Sequence, residues 1–370
     1  MKSSTDRFAL DSLAVFSCLS LLCFDGFVHA APKKPSLEVT TTPASAKQGP
    51  VVKIEGKVNF DYKAYEVADD TTFDLTGMIS DPKDDHPTST VFTAGQQPKP
   101  PTNLRITGGV IHGKIPLEWS WTLTHAFGGA AFLTCANVLQ SLEGVRIHNL
   151  QDGWRPRETP EFLPRAYLNT GRFRMRDCYV TGIRDDVIEN DEFMPGDVED
   201  SLFDGVFTFL SEQNEQLNGV RTLELPTIGP EEDPHIRLTR VLVRLAVTSA
   251  GEPGPGAWFK LHGYDSPNHQ IVITDSVFAV DKQPRNGWKL VNFPKETTFH
   301  GKNLLLWLGT PGAYGATVPA GVTFLEGQPA KDKWHELRNA WLAAHGYEPR
   351  SPEDWNPMEA PVAAPTRRNP

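Results

Sequence analysis

Residues 182–192 read Gly182-Ile-Arg184-Asp185-Asp186-Val187-Ile188-Glu189-Asn190-Asp191-Glu192, the densest run of carboxylates in a chain of 370 residues. If Val187 and Ile188 lie on a short strand, Asp185 and Asp186 stand at its mouth while Glu189 and Asp191 alternate along it. Carboxylates crowded into so small a volume repel one another, which raises some of their pKa values and can keep one protonated near neutral pH. Two other readings fit the same residues. Asp185, Asp186, Glu189 and Asp191 offer several hard oxygens at once, as calcium requires. The aspartates can also be turn residues satisfied by backbone amides, with Arg184 screening their charge.

The elements that must position this run announce themselves by a recurring phrase. Val145-Arg-Ile-His-Asn149, Phe173-Arg-Met-Arg-Asp177, Asp197-Val-Glu-Asp200 and Ile271-Val-Ile-Thr-Asp275 each alternate with period two and end on a small polar residue. Such alternation marks a strand with one buried face, and the polar residue marks a corner. The corners are 28, 23 and 75 residues apart, and Ile236-Arg-Leu-Thr-Arg240 supplies a coil inside the longest gap. A period in the twenties predicts an all-β fold, a right-handed single-stranded parallel β-helix over 51–328, with Asn149, Asp177, Asp200 and Asp275 on a common edge. Glycines take the corner in the early rungs 73–79 and 104–113. Near the C-terminus Trp334, Leu337, Trp341 and Leu342 fall at helical spacing, with Gly346 as a stop. This predicts a helix over 329–348 that closes or braces the open end of the solenoid. Residues 31–50 read as a flexible leader and 349–370, rich in proline, as a disordered tail.

Residues 1–30 have the form of a secretory signal: Lys2 and Arg7, an apolar run over 13–24, and Val28-His-Ala30 as the cleavage site. The expectation is a secreted or periplasmic protein. No later stretch approaches the roughly 18–20 apolar residues of a membrane span. The net charge of −10 and the lack of a basic stripe argue against nucleic acid as a partner. Cys135 and Cys178 are expected to be small buried hydrophobes. The histidines lack the i, i+4 spacing of a helical zinc motif, and there is no phosphate loop or nucleophile elbow.

The segment 145–280 resembles pectin-degrading β-helix enzymes, the polygalacturonases in particular. Asp185-Asp186-Val187-Ile188 is similar to that family's acidic pair, which is followed by Cys and an aliphatic residue. Asn149-Leu-Gln-Asp152-Gly153 is similar to its Asn-Thr-Asp-Gly motif with one residue inserted. Gly256-Ala-Trp258-Phe-Lys260-Leu-His-Gly263 resembles the segment of its Arg-x-Lys clamp, with Trp258 in place of the Arg. The chain departs again at Asp204-Gly205-Val206-Phe207, where the family has Gly-His-Gly.

The resemblance implies the β-helix and a polysaccharide or oligosaccharide partner. It places Asp152, Asp185 and Asp186 around a scissile glycosidic bond, one carboxylic acid protonating the leaving oxygen and another activating water across about 6.5–9.5 Å. Lys260 would bind a sugar carboxylate, Trp154 and Trp258 would stack on sugar rings beside the site, and Arg184 would contact substrate. Such hydrolysis needs no cofactor. The missing His and Arg leave a non-catalytic carbohydrate-binding or surface β-helix as the alternative. A calcium-dependent polysaccharide lyase with Lys260 or Arg237 as base is the third reading. The geometric expectation is that Asp185, Asp186 and Lys260 converge on one groove with Asp152 and Trp258 at its rim.

Overall fold

The computed structural model describes residues 40–42, 49–59, 61–80, 90–163, 171–212, 234–261, 270–284, 293–294 and 296–356. Short strands recur in the order sheet A, sheet B, sheet C, and stack into three long sheets. Among the described residues, A and B hold ten strands each and C holds seven. Pairing is parallel throughout except where Thr40–Thr42 runs antiparallel to Val51–Lys53 at the start of sheet A. The chain is a parallel β-helix, as its alternation predicts.

Stacking is what buries the apolar residues, since no single coil can cover its own inner face. Phe73, Ile106, Leu142, Met175, Val198, Leu238 and Ile273 follow one another in register down sheet A. Sheet C supplies Phe132, Trp154, Ile188, Leu210 and Phe259 in the same way. All are at most 1 % exposed. Cys135 and Cys178 are buried free thiols of the interior.

The corner from sheet A to sheet B is a ladder of left-handed residues. Asp177, Asp200, Arg240 and Asp275 have φ of 54°, 44°, 53° and 50°. Each donates its backbone N–H to the next coil, to the carbonyls of Glu199, Thr239, Thr274 and His300. That conformation costs an L-residue about 1–2 kcal/mol, least for Asp and Asn. Gly144 and Gly301 take the same place in neighbouring coils at no steric cost. Just inside the ladder, Ser201 Oγ accepts from Cys178 N at 3.1 Å and Ser276 Oγ from Val241 N at 3.2 Å, so side chains complete the hydrogen bonding between coils.

Asn149 does not belong to this edge. Its φ is also left-handed, 53°, but its N–H donates to Thr181 O at the next corner, between sheets B and C, in line with Gly182. Its strand, Arg146–His148, lies in sheet B, and the A-to-B corner of that coil is Gly144. The sequence phrase marks a strand and a corner without saying which corner.

The C-terminal helix, α2 (Gln328–Ala344), lies along the outer wall of sheet B and does not close the end of the solenoid. Ala330, Trp334, Trp341 and Leu342 cover Tyr179, Leu202, Leu242, Val277 and Leu306. The outer face of sheet B is apolar there, and a helix laid along it buries its own apolar stripe against those side chains. Under it, the fully buried Asp204 takes Arg244 Nε at 2.5 Å, Arg338 Nη1 at 3.3 Å and Arg350 Nη1 at 3.5 Å. The chain after α2 stays on this wall: Arg350 and Asp354 form an ion pair at 2.5 Å, and Arg244 lies over the Trp355 ring. The expected signal 1–30 and the tail from 357 onward lie outside the described residues. No described helix is long and apolar enough to cross a membrane.

Candidate active site

Two neighbouring coils carry the acidic residues at the corner from sheet B to sheet C. Asp152 opens the strand Asp152–Arg157, and Asp186 opens Asp186–Glu189 one coil further on. Asp186 N donates to Asp152 Oδ1 at 3.0 Å. Asp185 N donates to Gln151 O and Asp185 O accepts from Thr208 N, both at 2.9 Å, so the backbone is satisfied between coils. The side chains are thereby left to face one another. Oxygens of Asp152, Asp185 and Asp186 lie within 4.8 Å of one another, and the three residues are 1–3 % exposed.

Lys260 reaches this group from Phe259–Leu261, two coils along. Beside the core column of sheet C, the next register position brings Ser211 against both Glu189 and Lys260. Lys260 Nζ sits 3.1 Å from Asp186 Oδ2 and 3.8 Å from Asp185 Oδ1. Arg155 Nε donates to Asp152 Oδ2 at 3.0 Å, and the same guanidinium pairs with Glu189. The structure therefore brings Asp152, Asp185, Asp186 and Lys260 together, with Asp152 inside the cluster and not at a rim.

A histidine is present, although not where the resemblance would put one. The connection between sheet B strand Val110–His112 and sheet C strand Ala130–Cys135 carries a short helix, α1 (Trp121–Phe127). Ser120 caps it by accepting from Leu123 N at 3.3 Å. His125 Nδ1 lies 2.8 Å from Asp185 Oδ2, and Trp121 Nε1 donates to Asp185 Oδ1 at 3.2 Å. The two rings stack with centroids 4.7 Å apart and planes at 13°. Their sequence signal is faint: a capping Ser120 and a stop at Gly128 around seven residues, two of them β-branched threonines, too few to show a helical period.

Arg184, expected at the substrate, is fully buried and faces α1's approach. It donates to Asn149 Oδ1 at 3.2 Å, Pro116 O at 2.8 Å and Ile115 O at 3.3 Å, pinning the segment that leads into Ser120. Trp154 and Trp258 are likewise core residues, at most 1 % exposed. Trp154 donates to Thr134 Oγ1 at 2.8 Å and meets Phe173 edge-on; Trp258 packs against Phe278 and Phe293. Neither presents a ring face to a ligand. The aromatic side chains shown in contact with the carboxylates are Trp121 and His125, stacked on each other.

Three carboxylates face Lys260 and a shared Arg155, and the shortage of positive charge splits their behaviour. Burial pushes Asp186 up to about 7, against the attraction of Lys260 and with repulsion from Asp185 and Asp152 adding to it. Burial acts on Asp185 in the same sense, but the hydrogen bond from His125, the Lys260 charge and the Trp121 N–H hold it below the usual carboxylate range. The Asp185 hydrogen bond in turn raises His125. Lys260, which burial would lower, is held charged by Asp186 and Asp185. Near neutral pH the site pairs a carboxyl group that is protonated about half the time with a carboxylate that stays ionised. The 4.8 Å limit between nearest oxygens is shorter than the span expected for an inverting pair with water between.

Fold and site together define a parallel β-helix with a buried acidic centre at one corner. Comparison of the chain with protein-family models, with curated proteins and with solved structures finds no match.

Proposed function

We propose that this chain is an exported carbohydrate-active β-helix that hydrolyses glycosidic bonds in a uronate-bearing polysaccharide, the substrate class of the pectin-degrading enzymes it resembles. The observation that carries the reading is the split of adjacent carboxylates, Asp186 pushed up to about 7 and Asp185 held ionised. In this mechanism the Asp186 carboxylic acid gives its proton to the glycosidic oxygen as the bond to the anomeric carbon breaks. Ionised Asp185, oriented by His125 and Trp121, stabilises the positive charge developing on the ring. Water then adds to the anomeric carbon and its proton returns to Asp186. Lys260 holds Asp186 by hydrogen bond and sets a positive charge beside the site toward which a sugar carboxylate is drawn. The rings of α1 supply the apolar faces on which sugars stack.

A non-catalytic carbohydrate-binding β-helix is the second reading, and the burial of the three carboxylates favours it. Purified chain incubated with a panel of uronate-containing and neutral polysaccharides separates the two. The hydrolase reading expects new reducing ends without unsaturated products. Binding without cleavage supports the second reading, and unsaturated ends identify a lyase.

A further inference from the structure

The A-to-B corner gathers a second group of side chains, remote in the coil from the acidic centre. Asp177 and Asp200 hold the left-handed positions of adjacent coils, and α2 ends against them at His345. His345 Nδ1 lies 2.8 Å from the Trp341 carbonyl oxygen. A carbonyl can only accept, so Nδ1 carries a proton and Nε2 turns toward the two carboxylates; burial would lower the imidazole, but Asp177, the Trp341 carbonyl and Asp200 raise it, so a bound metal takes the place of a proton on Nε2. Nε2 is 3.7 Å from Asp177 Oδ1 and 3.8 Å from Asp200 Oδ2, beyond hydrogen-bond reach of both. The three atoms nonetheless converge within 4.8 Å. The Trp341 indole fixes the ring plane, stacking on the imidazole at 3.8 Å and 13° while donating to Asp200 O at 3.2 Å.

We propose that Asp177, Asp200 and His345 bind a divalent transition-metal ion of the zinc class, with a fourth position open to solvent. One imidazole nitrogen and two carboxylate oxygens are a zinc donor set, whereas calcium takes oxygen alone. Ligands held tetrahedrally at about 2.0–2.2 Å lie about 3.3–3.6 Å apart, so the two spacings from His345 close with shifts of a few tenths of an ångström, and the two carboxylates, within 4.8 Å, close by rotation of their side chains. The bond from Nδ1 to a backbone carbonyl is the arrangement that orients a metal-binding histidine. Arg176 Nε approaches Asp177 Oδ2 at 3.4 Å, which leaves Oδ1 toward His345. His345, Asp200 and Asp177 are 19 %, 34 % and 41 % exposed at the side chain, so an ion reaches them from solution. The open position faces a cleft of about 490 Å³ lined by Arg105, Glu143, Arg176 and Tyr347, able to admit water or a small anionic ligand.

The full chain, stripped with chelator, is titrated with Zn²⁺ by calorimetry, and Co²⁺ serves as the spectroscopic probe. One zinc per chain is expected, with visible absorption of four-coordinate cobalt. His345→Ala and Asp200→Asn should each weaken binding at least about tenfold and abolish the cobalt bands. Asp152→Asn, at the other acidic cluster, should leave both readouts unchanged. Circular dichroism certifies that each variant is folded, and the isosteric Asp200→Asn decides the matter if His345→Ala does not fold. No zinc binding by the wild type, binding retained by Asp200→Asn, or binding lost by Asp152→Asn would each overturn the proposal.

Discussion

Asp204 on the wall of sheet B and the carboxylates at the corner between sheets B and C are both buried, and they differ in the ratio of cations to anions. On the wall of sheet B, Asp204 faces Arg244, Arg338 and Arg350, one carboxylate to three guanidinium groups. Despite complete burial it is held below the usual carboxylate range by those arginines. At the corner between sheets B and C, four carboxylates, those of Asp152, Asp185, Asp186 and Glu189, share Lys260 and Arg155, and Asp186 is driven up to about 7. Excess positive charge locks Asp204 in one protonation state and joins α2 to the wall. Too little positive charge leaves the corner with a proton that can be given and taken back. Burial is common to both, so burial alone does not mark a chemical site.

The comparison is broken most forcibly at Asp204. Asp204→Asn leaves three arginines under α2 without their counter-ion and should cost about 3–5 kcal/mol in chemical denaturation. A loss under 1 kcal/mol would mean the cluster is solvated and the contrast unfounded. Lys260→Met is the matching change at the corner. There the cost should be smaller and pH-dependent, about 1 kcal/mol or less at pH 5, because uncompensated carboxylates can protonate, and rising toward pH 8. Equal losses at both pH values would show that the corner carboxylates are as fixed as Asp204.

The folded-state pKa of Asp186 lies above that of an unfolded aspartate, about 3.9. Its contribution to stability is therefore full below about pH 4 and lost as pH rises through about 7. Asp186→Asn, which has no proton to lose, should match the wild type below about pH 4 and exceed its stability by a margin that grows as pH rises to about 7. Thermal melts across that range check it. The smallest effect expected is in the corner ladder. Arg240→Val should cost about 1–2 kcal/mol, because a β-branched residue is forced to φ near 53°, while Arg240→Gly should be neutral or better. The Arg240–Glu199 pair lost in both variants is largely exposed and adds little.

Much of this arrangement is legible in the sequence, because a β-helix turns sequence spacing directly into stacking. Asp152 and Asp186 open sheet C strands one coil apart, and the alternation that places core residues such as Phe259 also places Lys260 beside them. Other features depend on information that one strand does not carry. Asn149 and Asp177 follow the same local phrase yet stand at different corners, since only the pairing of strands assigns a strand to its sheet. Trp154 shares strand parity with Phe132 and Ile188 and is core by that parity, a signal that proximity to Asp152 in sequence obscures. His125 and Trp121 reach Asp185 from 60 and 64 residues away, on a helix too short to declare itself by periodicity. The position of α2 follows from the apolar outer face of sheet B, which becomes visible only when Tyr179, Leu202, Leu242 and Val277 are seen to line up.

The most direct test of the acid–base account is Asp186→Asn, measured for turnover and stability on one preparation against whichever polysaccharide the wild type cleaves. Turnover should fall by at least about 100-fold, with unchanged stability below about pH 4 and a gain that grows toward pH 8, while wild-type activity declines as pH rises through about 7. Retained turnover, or a loss of about 1–3 kcal/mol in stability at every pH, would instead make Asp186 a corner residue held for its hydrogen bonds.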